Sequence, residues 1–214
     1  PGPFDYEEGT CLIKGVDKFE SLFNLNIKKL LAEKLQIADS DILMMNDASC
    51  FLKGEIFGGA AVNCDNVIGI TLGTGLGSAR FHNEQTFEGD LYFSPFKDGT
   101  AEDYISNRWF LKRYNETTGR TVKNVKELSE KIAAEPHVKK LFVEFGQNLG
   151  KVLFKYAKEH GCKTIVIGGN ITNAWELFFS ETKTILDKLP QTATIKKAQF
   201  GEEGALIGAA SLWK

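Results

Sequence analysis

The sequence has 214 residues, 43% of them hydrophobic, and its 26 basic and 28 acidic side chains leave a formal net charge of −2. This length is enough for one large domain or two small ones. The near balance of charge argues against a nucleic-acid-binding protein, which usually carries a basic patch, and no apolar run approaches the length of a membrane span. We therefore expect a globular protein whose partners include neither nucleic acid nor a membrane.

Cysteines are distributed along the chain without any Cys-x-x-Cys spacing. They are Cys11, Cys50, Cys64 and Cys162. This distribution argues against a zinc ribbon or a redox dithiol, and Cys50 and Cys64 are expected to be small core residues. Free thiols, together with the lack of a visible signal peptide, predict a reducing, cytoplasmic setting.

The first fifth of the chain predicts a helix followed by a short strand. Apolar residues recur at helical spacing over residues 19–35. The expected inner face of this helix consists of Leu22, Leu25, Ile27, Leu30, Leu31 and Leu35. Residues 42–45 then form an apolar run of strand length, and residues 48–57 have a helical pattern.

Asn46 and Asp47 stand between this predicted strand and the next predicted helix. In open α/β sheets, ligands bind at such carboxyl ends of strands, where an aspartate can act as a general base on a substrate hydroxyl. An aspartate at this position is also a common helix N-cap. The residues alone leave both roles of Asp47 open.

A glycine-rich stretch at the centre of the chain predicts a β-hairpin. A β-branched, apolar run at residues 67–72 leads into it, and a second strand is expected at residues 79–82. The candidate phosphate-binding residues at its tip are Gly73, Thr74, Gly75 and Gly77. Glycine permits positive φ and close approach of the backbone to a ligand, and successive amides can converge on an anion. A tight hairpin without a ligand is the alternative.

Two other glycine motifs are excluded. A Rossmann fingerprint requires a helix after its glycines, whereas here a strand follows, and a Walker A loop requires a Gly-Lys-Ser/Thr triplet that the chain lacks.

The second half alternates helices and strands, which indicates α/β architecture. Residues 81–89 continue the β region, Thr100 is a candidate N-cap for a helix over 101–114, and a short helix is expected at 125–134. Residues 137–160 form the clearest helix, which Gly161 would end. Its predicted buried face is Leu141, Phe142, Phe145, Leu149, Val152, Leu153, Tyr156 and Ala157. His137 and His160 are expected at the surface.

A second buried strand is predicted at residues 163–167. It runs into Gly168-Gly169-Asn170, where a flat ligand can lie close to the backbone or the chain can simply turn. Thr172 or Asn173 is expected to cap a helix over 174–189. A strand at 194–198 and a closing helix at 204–213 complete the chain.

Four of these segments, in this order, resemble the ROK family of sugar kinases and repressors. Asn46-Asp47-Ala48 is similar to the segment that holds the family's catalytic aspartate, and residues 72–77 resemble its phosphate-binding hairpin. Residues 167–170 are similar to its adenosine-side turn, and residues 204–210 to its closing helix. Each match is weak by itself, whereas the ordered set spans almost the whole chain.

The resemblance implies an α/β, ribonuclease H-like ATPase fold of the actin and hexokinase type, with two lobes of which the first is incomplete. Residues 1–47 would be the remainder of the N-terminal lobe, 48–200 the C-terminal lobe, and 201–214 a closing helix that returns toward the first lobe. ATP and Mg²⁺ would be the cofactors, and a homodimer is possible. The family's first phosphate loop, Asp-x-Gly-Gly-Thr, is absent, so we expect a fragment with poor kinase activity by itself.

The resemblance also assigns site residues. Asp47 would take the proton from a sugar hydroxyl that attacks the γ-phosphate of ATP, and Asn46 would hold a sugar hydroxyl. Glu102 matches the family's later sugar-contacting acid. The hairpin amides and the Thr74 hydroxyl would steady phosphate oxygens, and Gly168, Gly169 and Asn170 would contact the adenosine.

The sugar-binding segment departs from the family pattern. The family has Gly-Glu-x-Gly-His where this chain has Gly89-Asp90-Leu91-Tyr92-Phe93. Asp90 is one methylene shorter than glutamate, and Phe93 can neither accept a hydrogen bond nor bind metal. Residues 94–101 contain no cysteine, and Thr100 stands where one is expected, which argues against zinc.

Three functions are therefore compared. The first is an ATP-dependent hexose kinase similar to glucokinases, which the retention of Asp47 favours. The second is a non-catalytic, sugar-sensing transcriptional regulator of the ROK type, which the altered residues Asp90 and Phe93 favour. The third is a nucleotide-binding domain unrelated to sugars.

Overall fold

A computed structural model describes residues 3–15, 19–191 and 193–213. Residues 1–2, 16–18, 192 and 214, which belong to the predicted regions 1–47, 48–200 and 201–214, lie outside this description. The chain divides into two compact units: residues up to Asp47 together with the last residues from Leu212, and residues 48–211.

The first unit contains a small hairpin and one α-helix. Strand β1 (Phe4–Asp5) pairs antiparallel with β2 (Thr10–Cys11). Helix α1 (Ile27–Leu35) begins after Asn26, whose side chain accepts a hydrogen bond from the Lys29 amide. Two 3₁₀ turns, Glu20–Leu22 and Asp39–Asp41, precede and follow the helix. This Asn26 cap explains where α1 starts, because it satisfies one of the amides that a helix N-terminus leaves free.

Three predictions for this unit are wrong. The helix expected over 19–35 is interrupted at Asn24, which adopts a left-handed φ of 62°, and at the Asn26 cap. Its expected inner face is largely exposed: Leu30, Leu31 and Leu35 are 40% to 60% accessible. No strand forms at residues 42–45, because this apolar run pairs with no other described strand. Apolar periodicity predicts which side chains share one face of a helix, but it does not show whether another element packs against that face.

The second unit is built on a mixed five-stranded sheet. In chain order, the strands of this unit are β3 (Val67–Leu72), β4 (Leu76–His82), β5 (Gln85–Glu88), β6 (Pro95–Phe96), β7 (Gly99–Thr100), β8 (Thr164–Gly168) and β9 (Thr194–Lys197). Strands β6 and β7 form a separate small hairpin, and the other five form the sheet. The sheet order is β5-β4-β3-β8-β9. Strand β4 is antiparallel to both of its neighbours, β3 and β5, whereas β3, β8 and β9 are parallel.

Helices surround this sheet. They are α2 (Asp47–Gly58), α3 (Ala101–Tyr104), α4 (Asn107–Thr118), α5 (Val125–Glu130), α6 (Lys139–His160), α7 (Trp175–Leu186) and α8 (Gly204–Ala210). The predicted buried face of α6 is confirmed, since all eight of its apolar residues are buried. The hairpin of β3 and β4 and the strand β8 are also confirmed.

Helices α2 and α8 cross with their backbones in contact. A methyl group added at Gly54 would overlap the carbonyl of Gly204, and one added at Gly208 would overlap the carbonyl of Cys50. Glycine is required here for close approach rather than for an unusual φ. Neither helix pattern in the sequence revealed this crossing.

Several helices differ from their predicted extents: α5 ends at Glu130 and α8 at Ala210, each earlier than expected. The helix expected over 101–114 breaks at Ile105 and Ser106 into α3 and α4, although the Thr100 cap is confirmed as a capping box with Asp103. The helix expected over 174–189 is α7, which begins at Trp175 and ends at Leu186. A 3₁₀ turn, Asn170–Ala174, precedes it, and the Thr172 hydroxyl donates to the Gly169 carbonyl there and does not cap the α-helix.

Among the described residues, the helices are too short or too polar for any of them to cross a membrane.

Candidate functional site

The two glycine turns predicted to bind nucleotide lie at the same edge of the sheet. Strands β3 and β8 are parallel neighbours in which Thr71 is paired with Gly168. The hairpin tip follows β3 directly, and Gly169 follows β8 directly. Since ligands of α/β sheets bind at the carboxyl ends of parallel strands, this edge is the candidate site.

At the hairpin tip, two amides have no acceptor among the described residues. The Gly73 amide donates to the Gly75 carbonyl at 3.1 Å and thereby closes the three-residue loop. In the part of the chain that the structure describes, the amides of Thr74 and Gly75 donate no hydrogen bond. Thr74 is exposed. Adjacent free amides and a hydroxyl can together accommodate an anion.

Two of the three hairpin glycines lie in close contact with neighbouring side chains. None of Gly73, Gly75 and Gly77 has a positive φ, so the conformational freedom that glycine permits is not used here. A methyl group at Gly75 would overlap the carboxylate of Glu102, and one at Gly77 would overlap the hydroxyl of its paired residue Thr71. Gly73 faces open space, with no atom within 4 Å of a Cβ built there. Gly75 and Gly77 therefore allow close packing beneath the tip.

The second turn combines both uses of glycine. Gly169 has a φ of +88°, and a side chain there would overlap the backbone of Leu72 in β3. A Cβ at Gly168 would lie 2.7 Å from the ring of Phe51 on α2. Asn170 is exposed at the start of the 3₁₀ turn. The close contact between Gly169 and Leu72 keeps the two turns adjacent.

Glu102, predicted to bind sugar, contacts the hairpin in this structure. Its Oε2 atom accepts a hydrogen bond from the Leu76 amide at 2.8 Å, and its Oε1 atom forms an ion pair with Arg108. The amide of Asn107, at the start of α4, donates to the Gly73 carbonyl at 2.8 Å. The segment from Glu102 to Arg108 therefore holds the hairpin at both sides of its tip.

Asp90 lies in a strained turn after β5. It is exposed and has a left-handed φ of 51°. The residues on either side are anchored: the Leu91 amide donates to Ser78 Oγ at 3.0 Å, and the Tyr156 hydroxyl donates to the Gly89 carbonyl at 2.6 Å. Burial raises the pKa of Tyr156 to about 12, so this donor keeps its proton at neutral pH.

Asn46 and Asp47 belong to the first unit. The Asn46 side-chain amide donates to the Tyr6 hydroxyl at 3.4 Å, which gives Asn46 a partner that the sequence motif did not indicate. Helix α2 begins at Asp47, which is exposed. Acidic side chains at such a position interact favourably with the helix dipole.

Two further polar groups were missed or misplaced. Glu55 on α2 is fully buried and accepts hydrogen bonds from the backbone amides of Ala60, Gln199 and Phe200; the helical pattern gave no signal for it. His160 is only partly exposed, and its Nδ1 atom lies 3.2 Å from the Arg80 guanidinium, a contact that the sequence did not indicate. Burial, and then the charge of Arg80, lower the pKa of His160.

The sequence model of the ROK family matches residues 12–94 and 97–214. The chain belongs to the ROK family. The N-acetyl-D-glucosamine kinase of Photobacterium profundum is 24% identical to it over an alignment of 242 positions, and this alignment covers 99% of this chain and 78% of that enzyme.

Solved ROK structures share the fold. A ROK glucokinase from Streptomyces griseus in complex with glucose and AMPPNP superposes with a TM-score of 0.80 at 21% identity, over 99% of this chain and 78% of that one. A ROK transcriptional regulator, described as a homologue of the E. coli MLC protein, gives a TM-score of 0.80 at 15% identity, over 98% of this chain and 59% of that one. The α/β fold is therefore the actin-like ATPase fold of ROK proteins.

The packing beneath the β3–β4 hairpin predicts that substituting Gly75 by alanine destabilises the protein more than the same substitution at Gly73. Gly75→Ala is expected to lower the free energy of unfolding by about 1–3 kcal/mol, because its methyl group displaces the Glu102 carboxylate. Gly73→Ala, the matched control, should change it by less than about 0.5 kcal/mol, since the position is open. Urea denaturation monitored by tryptophan fluorescence measures both. Equal effects of the two substitutions would contradict this account of Gly75.

Proposed function

We propose that this chain carries the catalytic site of an ATP-dependent sugar kinase, which transfers the γ-phosphoryl group of ATP to a hydroxyl of a hexose or a related sugar. The observation that supports this most is the pair of free amides, at Thr74 and Gly75, beside the Gly168-Gly169 turn at one sheet edge. A phosphate chain and a flat nucleoside need two such surfaces next to each other.

In this proposal the hairpin binds the phosphates. The amides of Thr74 and Gly75 and the Thr74 hydroxyl donate to phosphate oxygens, while Gly73 and Gly77 complete the glycine-rich loop around them. Gly168, Gly169 and Asn170 contact the adenosine. Phosphoryl transfer depends mainly on positioning and charge stabilisation, which fixed backbone donors provide.

The proposed general base is Asp47. Its carboxylate accepts the proton of the sugar hydroxyl as that oxygen attacks the γ-phosphorus, and ADP leaves. Asn46 holds a neighbouring sugar hydroxyl, and its contact with Tyr6 orients its amide. Asp90 and Glu102 are the other proposed sugar contacts. The Photobacterium relative is an N-acetyl-D-glucosamine kinase, so amino sugars belong among the candidate substrates.

Magnesium fits this proposal as a companion of the nucleotide. Among the described residues, no three histidine, cysteine, aspartate or glutamate side chains stand together as a ready-made metal site. Mg²⁺ typically binds through one or two carboxylates, water and substrate phosphates, so it would reach the site on ATP and supply charge neutralisation there.

A sugar-sensing regulator is the second candidate. It is supported by the replacement of the family's glutamate and histidine by Asp90 and Phe93, and by the similarity in fold to a ROK transcriptional regulator. The cytoplasmic location, the homodimer and the three predicted regions 1–47, 48–200 and 201–214 stay predictions.

The deciding experiment measures ADP release by the full-length gene product with magnesium-ATP and a panel of hexoses and amino sugars. Sugar-dependent release is expected, and the sugar with the highest kcat/KM names the substrate class. If no sugar stimulates ADP release while sugars still raise the melting temperature, the kinase proposal fails and the regulator is favoured.

A further inference from the structure

Glu102 is more firmly bound to the hairpin than a free sugar contact would be. Its side chain is 23% exposed, and each carboxylate oxygen already has a donor: the Leu76 amide on one and Arg108 on the other. Hydrogen bonds in which one partner is charged are roughly twice as strong as those between neutral groups. The carboxylate is therefore a strong restraint on the residue that follows the tip.

The restraint lies next to the amides of Thr74 and Gly75. Leu76 follows Gly75, and Gly75 packs against the Glu102 carboxylate so closely that a side chain at position 75 would require the carboxylate to move. On the other side of the tip, the Asn107 amide holds the Gly73 carbonyl. With Gly73 and Leu76 both fixed, Thr74 and Gly75 have little freedom to turn their amides away from a ligand.

We propose that Glu102 is a positioning residue for the phosphate-binding hairpin: by holding the Leu76 amide it presents the Thr74 and Gly75 amides to the nucleotide phosphates. If the proposed function is right, the same carboxylate contacts the sugar, and the two substrates are coupled through it. A sugar that favours this bound position of Glu102 then tightens nucleotide binding, and the nucleotide tightens sugar binding by the same factor.

The test compares Glu102→Ala and Glu102→Gln with wild type and with Glu130→Gln, an exposed acid at the end of α5. Hydrogen exchange of the Leu76 amide reports the restraint directly, and calorimetry gives the Kd of AMPPNP with and without N-acetyl-D-glucosamine or glucose. Glu102→Ala should speed Leu76 exchange at least about tenfold and raise the Kd of AMPPNP about tenfold. It should also abolish the effect of sugar on that Kd.

The conservative variant separates positioning from general loss of structure. In Glu102→Gln the new side chain keeps one oxygen, which can still accept from the Leu76 amide. This variant should therefore keep both the exchange rate and the nucleotide Kd within about threefold of wild type. Glu130→Gln should behave as wild type.

If the Leu76 amide of the Glu102→Ala variant exchanged at the wild-type rate, the positioning role would be overturned. Failure of the wild-type protein to bind AMPPNP would overturn the proposed function instead, and Leu76 exchange would then decide by itself whether Glu102 restrains the hairpin. An unchanged sugar effect on the AMPPNP Kd in Glu102→Ala would overturn the coupling alone.

Discussion

Asp47→Asn is expected to lower kcat for phosphoryl transfer by about 10²- to 10⁴-fold, the usual contribution of a positioned general base. Asparagine nearly matches aspartate in size and can still accept hydrogen bonds, but it cannot take the proton from the attacking hydroxyl. The Kd for sugar should therefore change little. Initial rates of ADP release give kcat, and calorimetry with the best sugar of the panel gives the Kd.

Asp41→Asn is the matched control for this substitution. Asp41 lies in the exposed 3₁₀ turn Asp39–Asp41, so its replacement makes the same change of charge without touching the proposed site. Its kcat should stay within about twofold of wild type, as expected for a surface substitution. An Asp47→Asn enzyme that turns over at nearly the wild-type rate would remove Asp47 from the role of base.

Glu55→Ala is expected to lower the free energy of unfolding by about 3–5 kcal/mol. The carboxylate is fully buried, and its loss would leave the amides of Ala60, Gln199 and Phe200 without their acceptor. Each buried unsatisfied donor costs about 1–3 kcal/mol. Urea denaturation measures the loss, and the m-value should stay unchanged if only the native state is affected.

Two further variants serve as controls for the Glu55→Ala measurement. Glu55→Gln keeps one acceptor oxygen but directs an NH₂ group at a backbone donor, so an intermediate loss of about 1–3 kcal/mol is expected. Glu130→Ala removes an exposed acid and should cost less than about 0.5 kcal/mol. A loss below about 1 kcal/mol in Glu55→Ala would show that water or other groups replace the carboxylate.

Elements with strong local patterns were predictable from the sequence. The face of α6 repeats every three to four residues along a 22-residue helix, and its burial followed. The hairpin of β3 and β4 and the strand β8 were also marked by β-branched runs next to glycines. In the first unit the same rule failed, because Asn24 and Asn26 interrupt a pattern that looks continuous, and exposed leucines look the same as buried ones in sequence.

At the candidate site, the motifs were predictable but the reasons for their residues were not. The contact between Gly75 and Glu102 joins the tip of the β3–β4 hairpin to α3, and no local pattern predicts it. The same holds for Glu55, whose donors at Gln199 and Phe200 come from the other end of the chain. Polar contacts distant in sequence depend on tertiary packing, which periodicity does not encode.

The pairing of β3 with β8 also has a consequence for the order of events during folding. It joins parts of the chain that are far apart, as does the hydrogen bond between Asn66 and Gly161, whose positions differ by 95. Such pairings form late, because the entropy of closing a long loop is lost before the contacts between the strands stabilise the chain. The hairpin of β3 and β4 and the helices α6 and α7 form from neighbouring residues and can come first. The sheet edge that carries both glycine turns exists only after β3 and β8 have paired. Nucleotide binding during refolding would therefore indicate that this late pairing is complete.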